Sequence, residues 1–185
     1  MEPASVTLTI DPSSELSDVL DAILRDLGQV VEYDHGRVML LPSVLDYRMS
    51  AEDEISTLLI TVRDRGSLDN RPGRLDPLQL DRYPLNRQLM TEQKPIVLSN
   101  AQAKEAWLAS EGSGEAIQSW IGAPLVVKGE SIGVLTINSV TPRAYTEKDG
   151  IIVFAFASQA AEAIDKVRLL DQAQNRLHEI GRAHV

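Results

Sequence analysis

The stretch from Trp120 to Asn138 constrains the fold more than any other part of the chain. Trp120 to Val127 and Ser131 to Asn138 are apolar runs joined by Lys128-Gly129-Glu130, a short glycine-containing connection of the kind that closes a β-hairpin. Alternation puts Ile121, Ala123, Leu125 and Val127 on one side of the first run and Trp120, Pro124 and Val126 on the other. Successive side chains of a strand point to opposite faces, so a strand apolar on both must be covered on both. The hairpin is expected at the centre of a sheet, with one layer above it and another below.

Two amphipathic helices can supply one layer. Asp11 and Pro12 suit a helix start, and apolar residues then recur at Leu16, Val19, Leu20, Ile23, Leu24, Leu27, Val30 and Val31. That spacing gives one apolar helical face. Thr146-Glu147-Lys148-Asp149 has the form of a capping box, opening a helix expected to reach about Ile180. At 1.5 Å per residue, about 35 residues span roughly 50 Å, more than one small domain needs. The first half is rich in Ala and Phe, as a buried helix would be. Across the helix, Phe156, Ala160, Ala163, Val167, Leu170, Gln174 and Leu177 alternate spacings of four and three, which makes a coiled-coil seam and predicts a homodimer.

The segments between carry shorter signals. Strands are expected at Arg37 to Leu41, Ile55 to Val62 and Ile96 to Ser99, and short helices at Leu85 to Gln93 and Ala101 to Ala109. Pro42 to Glu54 and Leu68 to Pro84 read as loops, and Glu111-Gly112-Ser113-Gly114 as a joint. Loops this long in a compact domain are usually functional or mobile.

Composition narrows the function. With 18 basic and 27 acidic side chains the net charge is −9, and no basic stripe focuses a field, so nucleic acid and anionic membrane surfaces are not expected partners. No apolar run approaches a membrane span and no signal peptide opens the chain, which reads as cytoplasmic. There is no cysteine, which removes disulfides, thiolate metal sites and thiol nucleophiles. Nor is there a metal-binding His spacing. His35 sits in a turn, and His178 lacks the companion domain that a phosphoacceptor would need. No constellation for catalysis is present.

Two segments stand out as a pattern, Ser119-Trp120-Ile121-Gly122-Ala123-Pro124-Leu125-Val126-Val127 and Ile132-Gly133-Val134-Leu135-Thr136-Ile137-Asn138-Ser139. Tyr145-Thr146-Glu147-Lys148-Asp149, Phe156-Ala157-Ser158-Gln159-Ala160-Ala161, Leu85-Asn86-Arg87 and Lys94-Pro95-Ile96-Val97 complete it. Through these the chain resembles the GAF domain, a sensory module of bacterial signalling proteins, over roughly Leu16 to Gln172. The variety most similar to this one accompanies sensor histidine kinases. The resemblance implies an α+β sandwich: a central antiparallel sheet of five to six strands, terminal helices on one face, and short helices and loops roofing a ligand pocket on the other. It also implies a leader over 1–13, a sensory domain over 14–172 and the end of an exit helix over 173–185. The last residues, Glu179 to Val185, resemble an in-frame translation of a sequencing adapter, which implies an output domain lying beyond.

Family chemistry carries over selectively. Relatives that bind cyclic nucleotides carry an Asn, Lys, Phe, Asp, Glu set; here Asn138, Ser139, Tyr145, Asp149 and Gly150 stand nearest, without the Lys and Glu. Without cysteine neither covalent bilin attachment nor the methionine sulfoxide reductase chemistry of other relatives is expected, and haem is not favoured. The cofactor is left unnamed. Candidate ligand contacts are Arg87, Asn100, Trp107, Trp120, Thr136 and Asn138, where the tryptophans either stack on a ligand or simply pack. Two readings stay open: a small-molecule-sensing dimeric domain, or a structural dimerisation domain with no ligand.

Overall fold

The computed structural model describes residues 14–45, 58–66, 78–108 and 116–184. The expected helix start at Asp11 and Pro12, most of both long loops and the Glu111–Gly114 joint lie outside the described residues. Helix α1 (Ser14–Val30) leads into strand β1 (His35–Leu40) and a 3-10 turn (Pro42–Leu45). Strands β2 (Leu58–Gly66) and β3 (Leu78–Gln79), helix α2 (Pro84–Glu92), strand β4 (Ile96–Leu98) and helix α3 (Glu105–Leu108) follow. Strands β5 (Ser119–Val127) and β6 (Glu130–Ser139) and helix α4 (Glu147–Ala183) complete the order.

The six strands form one antiparallel sheet in the order β3-β2-β1-β6-β5-β4. The hairpin is thus interior: β6 lies between β1 and β5, and β4 closes the far side of β5. Its turn is Lys128-Gly129, with φ of 50° and 81°. Two successive positive φ values match the right-handed twist of the strands they join, so the turn is one residue shorter than the sequence suggests. Strand β2 ends later than expected, because its pairing with β1 carries it to Gly66; the first residues of the expected strand, 55–57, lie outside the described residues.

Each face has its own core. On one, Leu20, Leu24 and Leu27 of α1 and Val153, Ala157, Ala160, Ala161 and Ile164 of α4 pack on Ile121, Ala123, Leu125, Leu135 and Ile137. Arg63 of β2 makes a two-pronged pair with Asp21 that fixes α1 against the sheet edge. On the other face, Leu85 and Leu89 of α2, Trp107 of α3 and Leu98 pack on Trp120, Val134 and Met39. Every fully buried large side chain here contributes roughly 1.5–3 kcal/mol relative to exposure.

Side-chain hydrogen bonds hold the roofing helix in place. The Ser131 hydroxyl donates to the Met90 carbonyl at 2.7 Å, and the Gln93 amide donates to the Gly129 carbonyl at 2.8 Å. The end of α2 is thereby tied to the hairpin turn. Helix α4 begins with the expected box: the Asp149 N–H donates to the Thr146 hydroxyl at 3.4 Å, and the Thr146 N–H donates to the Asp149 carboxylate at 2.8 Å.

Close approach explains one glycine. A Cβ at Gly133 would run into the Met39 carbonyl oxygen and Leu40 of β1. Gly133→Ala should therefore cost at least about 2 kcal/mol, in the upper range for overpacked cores. Gly181, on the exposed end of α4, faces open space, and Gly181→Ala should cost nothing. Urea unfolding of the two variants checks both.

Candidate functional site

Register defines rows of neighbours across the face opposite α1 and α4. Asp64, Arg37, Thr136, Gly122 and Ile96 form one row; His35, Asn138, Trp120 and Leu98 form the next. Directly opposed residues share a face with Cβ atoms about 5 Å apart. The Trp120 indole folds over Gly122, where a Cβ would collide with the ring and with Leu89 of α2. Trp107 packs on Trp120 with ring centroids 5.8 Å apart and planes at 52°, a tilted arrangement that aromatic pairs favour.

Within this apolar shell several polar atoms lack partners. Arg37 Nε, Asn138 Oδ1, Trp107 Nε1 and Asn86 Oδ1 are buried without a hydrogen bond among the described residues. Buried polar atoms are nearly always paired, and each one left unpaired costs about 1–3 kcal/mol. Four around one face are a concentration that packing alone does not call for. The fifth, the Tyr145 hydroxyl, belongs to the opposite core. Burial, with Asp34 and Asp149 nearby, pushes that phenol above its ordinary pKa.

Arg37 is the notable charge. It is partly buried, and no carboxylate among the described residues lies within ion-pair distance of it. Its cross-strand neighbour Asp64 is drawn to His35, Nε2 to Oδ2 at 3.5 Å. That bond, aided by the His35 and Arg37 charges, holds the Asp64 carboxyl below its usual pKa.

Of the six ligand contacts expected from sequence, the structure brings four together: Trp107, Trp120, Thr136 and Asn138. Arg87 and Asn100 stand apart. Leu85, Asn86 and Leu89 take the inward face of α2, which leaves Arg87 exposed and bonded to Asp81 at 3.3 Å. Asn100 is exposed, its carbonyl accepting from the Ala103 N–H at 3.3 Å. Near the family's nucleotide positions, Asp149 is used as a cap and Tyr145 in the core. Arg37 and Asn86 were not anticipated. A signal existed for Arg37, since an arginine opening an apolar strand run is rarely there for packing.

The seam also needs correcting. Ala160 is fully buried in the domain's own core, and Phe156 and Val167 pack against it. A helix lying on a sheet presents the same spacings of three and four as a coiled coil, so the first half of the series is spent within the chain. Leu170 and Leu177 remain open, 48% and 69% exposed. Where α4 leaves the sheet, a cleft of about 520 Å³ lies between Val126 and Val127 of the hairpin and Glu162, Lys166, Leu169 and Leu170. It is on the face opposite the tryptophans.

Among the described residues no cluster of His, Asp and Glu could hold a metal ion, and no helix is long and apolar enough to cross a membrane.

Comparison with solved structures places the fold. A GAF domain/HD domain protein from Geobacter sulfurreducens aligns over 84% of this chain and 95% of its own, with 16% identity and a TM-score of 0.66. The type II free methionine-R-sulfoxide reductase from Thermoplasma acidophilum aligns over 82% and 93%, with 16% identity and a TM-score of 0.62. A domain from Sinorhizobium meliloti 1021, assigned to a two-component sensor histidine kinase, aligns over 88% and 99%, with 20% identity and a TM-score of 0.64. No curated protein sequence matches the chain. The profile of one family, the GAF domain, matches residues 15–164, which takes in the sheet, both covering layers and the buried half of α4: the chain belongs to the GAF domain family.

Proposed function

We propose that the chain is a non-catalytic, ligand-sensing domain that dimerises through α4 and passes a change at its roofed face to that helix. The observation that carries this reading is the division of α4. From Val153 to Ile164 the helix is part of the core, while from Arg168 to Ala183 every residue is exposed. An isolated stretch of that length is marginal in water, since most helix stability comes from packing. Leu169, Leu170, Leu177 and Ile180 are all open on it.

A second copy of the chain is the occupant that suits this surface. Leu170 and Leu177 lie one heptad apart. In that register Lys166 falls at a g position and Asp171 at an e position, where opposite charges pair between helices. The cleft beside Leu169 and Leu170 extends the apolar surface back to the hairpin. In the parent protein the helix would lead to an output domain, and the sequence variety favours a cytoplasmic sensor histidine kinase.

The sensing half of the proposal draws on the four unpartnered polar atoms beside two tryptophans. A ligand that binds one conformer better shifts its population. Moving the balance from 1:99 to 99:1 takes about 5.5 kcal/mol of differential affinity, so a partial bias suits a small ligand better. The competing reading, a dimeriser with no ligand, leaves those atoms without a purpose.

Two experiments separate the halves of the proposal. Leu170→Glu with Leu177→Glu should turn a dimer into a monomer by light scattering without lowering the melting temperature of the domain body, because both side chains lie outside its core. A thermal-shift panel of nucleotides, amino acids, bilins and aromatic acids should raise the melting temperature with at least one member. An unmoved transition across the panel favours the structural reading.

A further inference from the structure

We infer that the roofed face is a site for a planar aromatic carboxylate, with Arg37 as the anchor of its charge and the Trp107–Trp120 pair as the platform for its ring. The inference rests on the reading of this face as a ligand site and adds the chemistry of the ligand.

Donor identity fixes the sign. Arginine and tryptophan side chains carry N–H donors and no acceptor, whatever rotamer they take. Arg37 Nε and Trp107 Nε1 are therefore two buried donors waiting for acceptors. The two asparagine amides can present either end, so they adapt to the ligand and do not define it. A guanidinium in a partly dry setting is best satisfied by an oxyanion, which takes its N–H groups in charge-assisted bonds. The carboxylate closest in register, Asp64, is engaged by His35.

Spacing fixes the shape. On the central row only Thr136 stands between Arg37 and Gly122, the residue over which the Trp120 ring lies. Strands are about 4.8 Å apart, so Arg37 and Gly122 stand about 10 Å apart across the sheet. Thr136 is small, and Asn138, two residues along the same strand in the next row, offers an unpaired oxygen on the same face. An indole edge at one end, a guanidinium at the other and a small polar floor between them suit one aromatic ring bearing one carboxylate. Leu85, Leu89, Val134 and Met39 line the same side, and they exclude the water that would otherwise compete for the charge.

A longer polyanion fits less well. Arg37 is the one cationic side chain in the two rows apart from the titratable His35, and a phosphate cluster would meet Asp64 with little to offset it. A compact inorganic anion could take the Trp107 N–H but would leave the apolar faces of the tryptophan pair unused.

Benzoate and its uncharged analogue benzamide test the proposal by titration calorimetry on the full chain, with Arg37→Gln and Arg37→Lys. The native chain should bind benzoate and bind benzamide at least about tenfold more weakly. Arg37→Gln should remove that preference, with a loss for benzoate of about tenfold to a hundredfold, the range of a charge-assisted bond. Arg37→Lys should recover part of it, because the charge returns without the forked donor geometry. Equal binding of the two probes, or a benzoate affinity unchanged in Arg37→Gln, would overturn the carboxylate assignment while leaving ligand sensing intact. If neither probe binds but another member of the thermal-shift panel does, the assignment also falls and sensing stands. If nothing binds at all, both fall together. Should Arg37→Gln fail to fold, benzoate against benzamide on the native chain decides the question alone.

Discussion

The whole molecule depends on the burial of β5 and β6 from both sides. A hairpin with Ile121, Ala123 and Leu125 on one face and Trp120 and Pro124 on the other cannot be stable with either face in water. The two terminal helices meet that demand on one side through a continuous aliphatic core. On the other side the described helices are short: α2 and α3 are 9 and 4 residues long. In the proposed reading, the strong helix-to-sheet packing carries the fold while the shorter helices are left to meet a ligand.

Much of the fold was legible because its signals are local. Alternation in Trp120 to Val127 gave the two faces of the strand, and the Thr146–Asp149 box gave the start of α4 to the residue. The length of α4 announced that part of it would leave the domain. The site was less legible, since it is made by register. Nothing in the sequence places Arg37 opposite Thr136 or Trp120 opposite Asn138 until the sheet is assembled. In the sequence Arg87 is the candidate and Arg37 is not, and only the inward turn of Leu85, Asn86 and Leu89 sends Arg87 to solvent. The first half of the seam was misread for a different reason. Heptad spacing and the period of a helix lying on a sheet agree over two or three turns, so Ala160 satisfied both patterns and the core claimed it.

The small residues at that point bear on how the two faces communicate. Ala157, Ala160 and Ala161 pack into the same core as Ile121, Ala123 and Leu125 of β5. Short side chains bring a helix axis close to a sheet and leave little that can rearrange between them. Strand β5 carries Trp120 on its other face. In the proposed reading, a ligand that moves the Trp120 ring acts on a strand whose next residue, Ile121, already touches the core beneath α4. Few rotamers stand between the two, so a displacement of the strand passes to the helix instead of being absorbed.

Length then converts a small displacement into a useful one. From Ala160 to Leu177 the helix rises about 25 Å at 1.5 Å per residue. A tilt of a few degrees at the sheet therefore moves the far leucine by one to two ångströms, the scale on which packed helices shift at interfaces. The exposed half needs no chemistry of its own to be a signal carrier. It needs stiffness, which an unbroken helix lacking internal proline supplies, and a partner helix whose packing prefers one tilt to another. The affinity difference available to a single carboxylate and ring is a few kilocalories per mole at most, and that is enough to bias such a preference without rebuilding the domain.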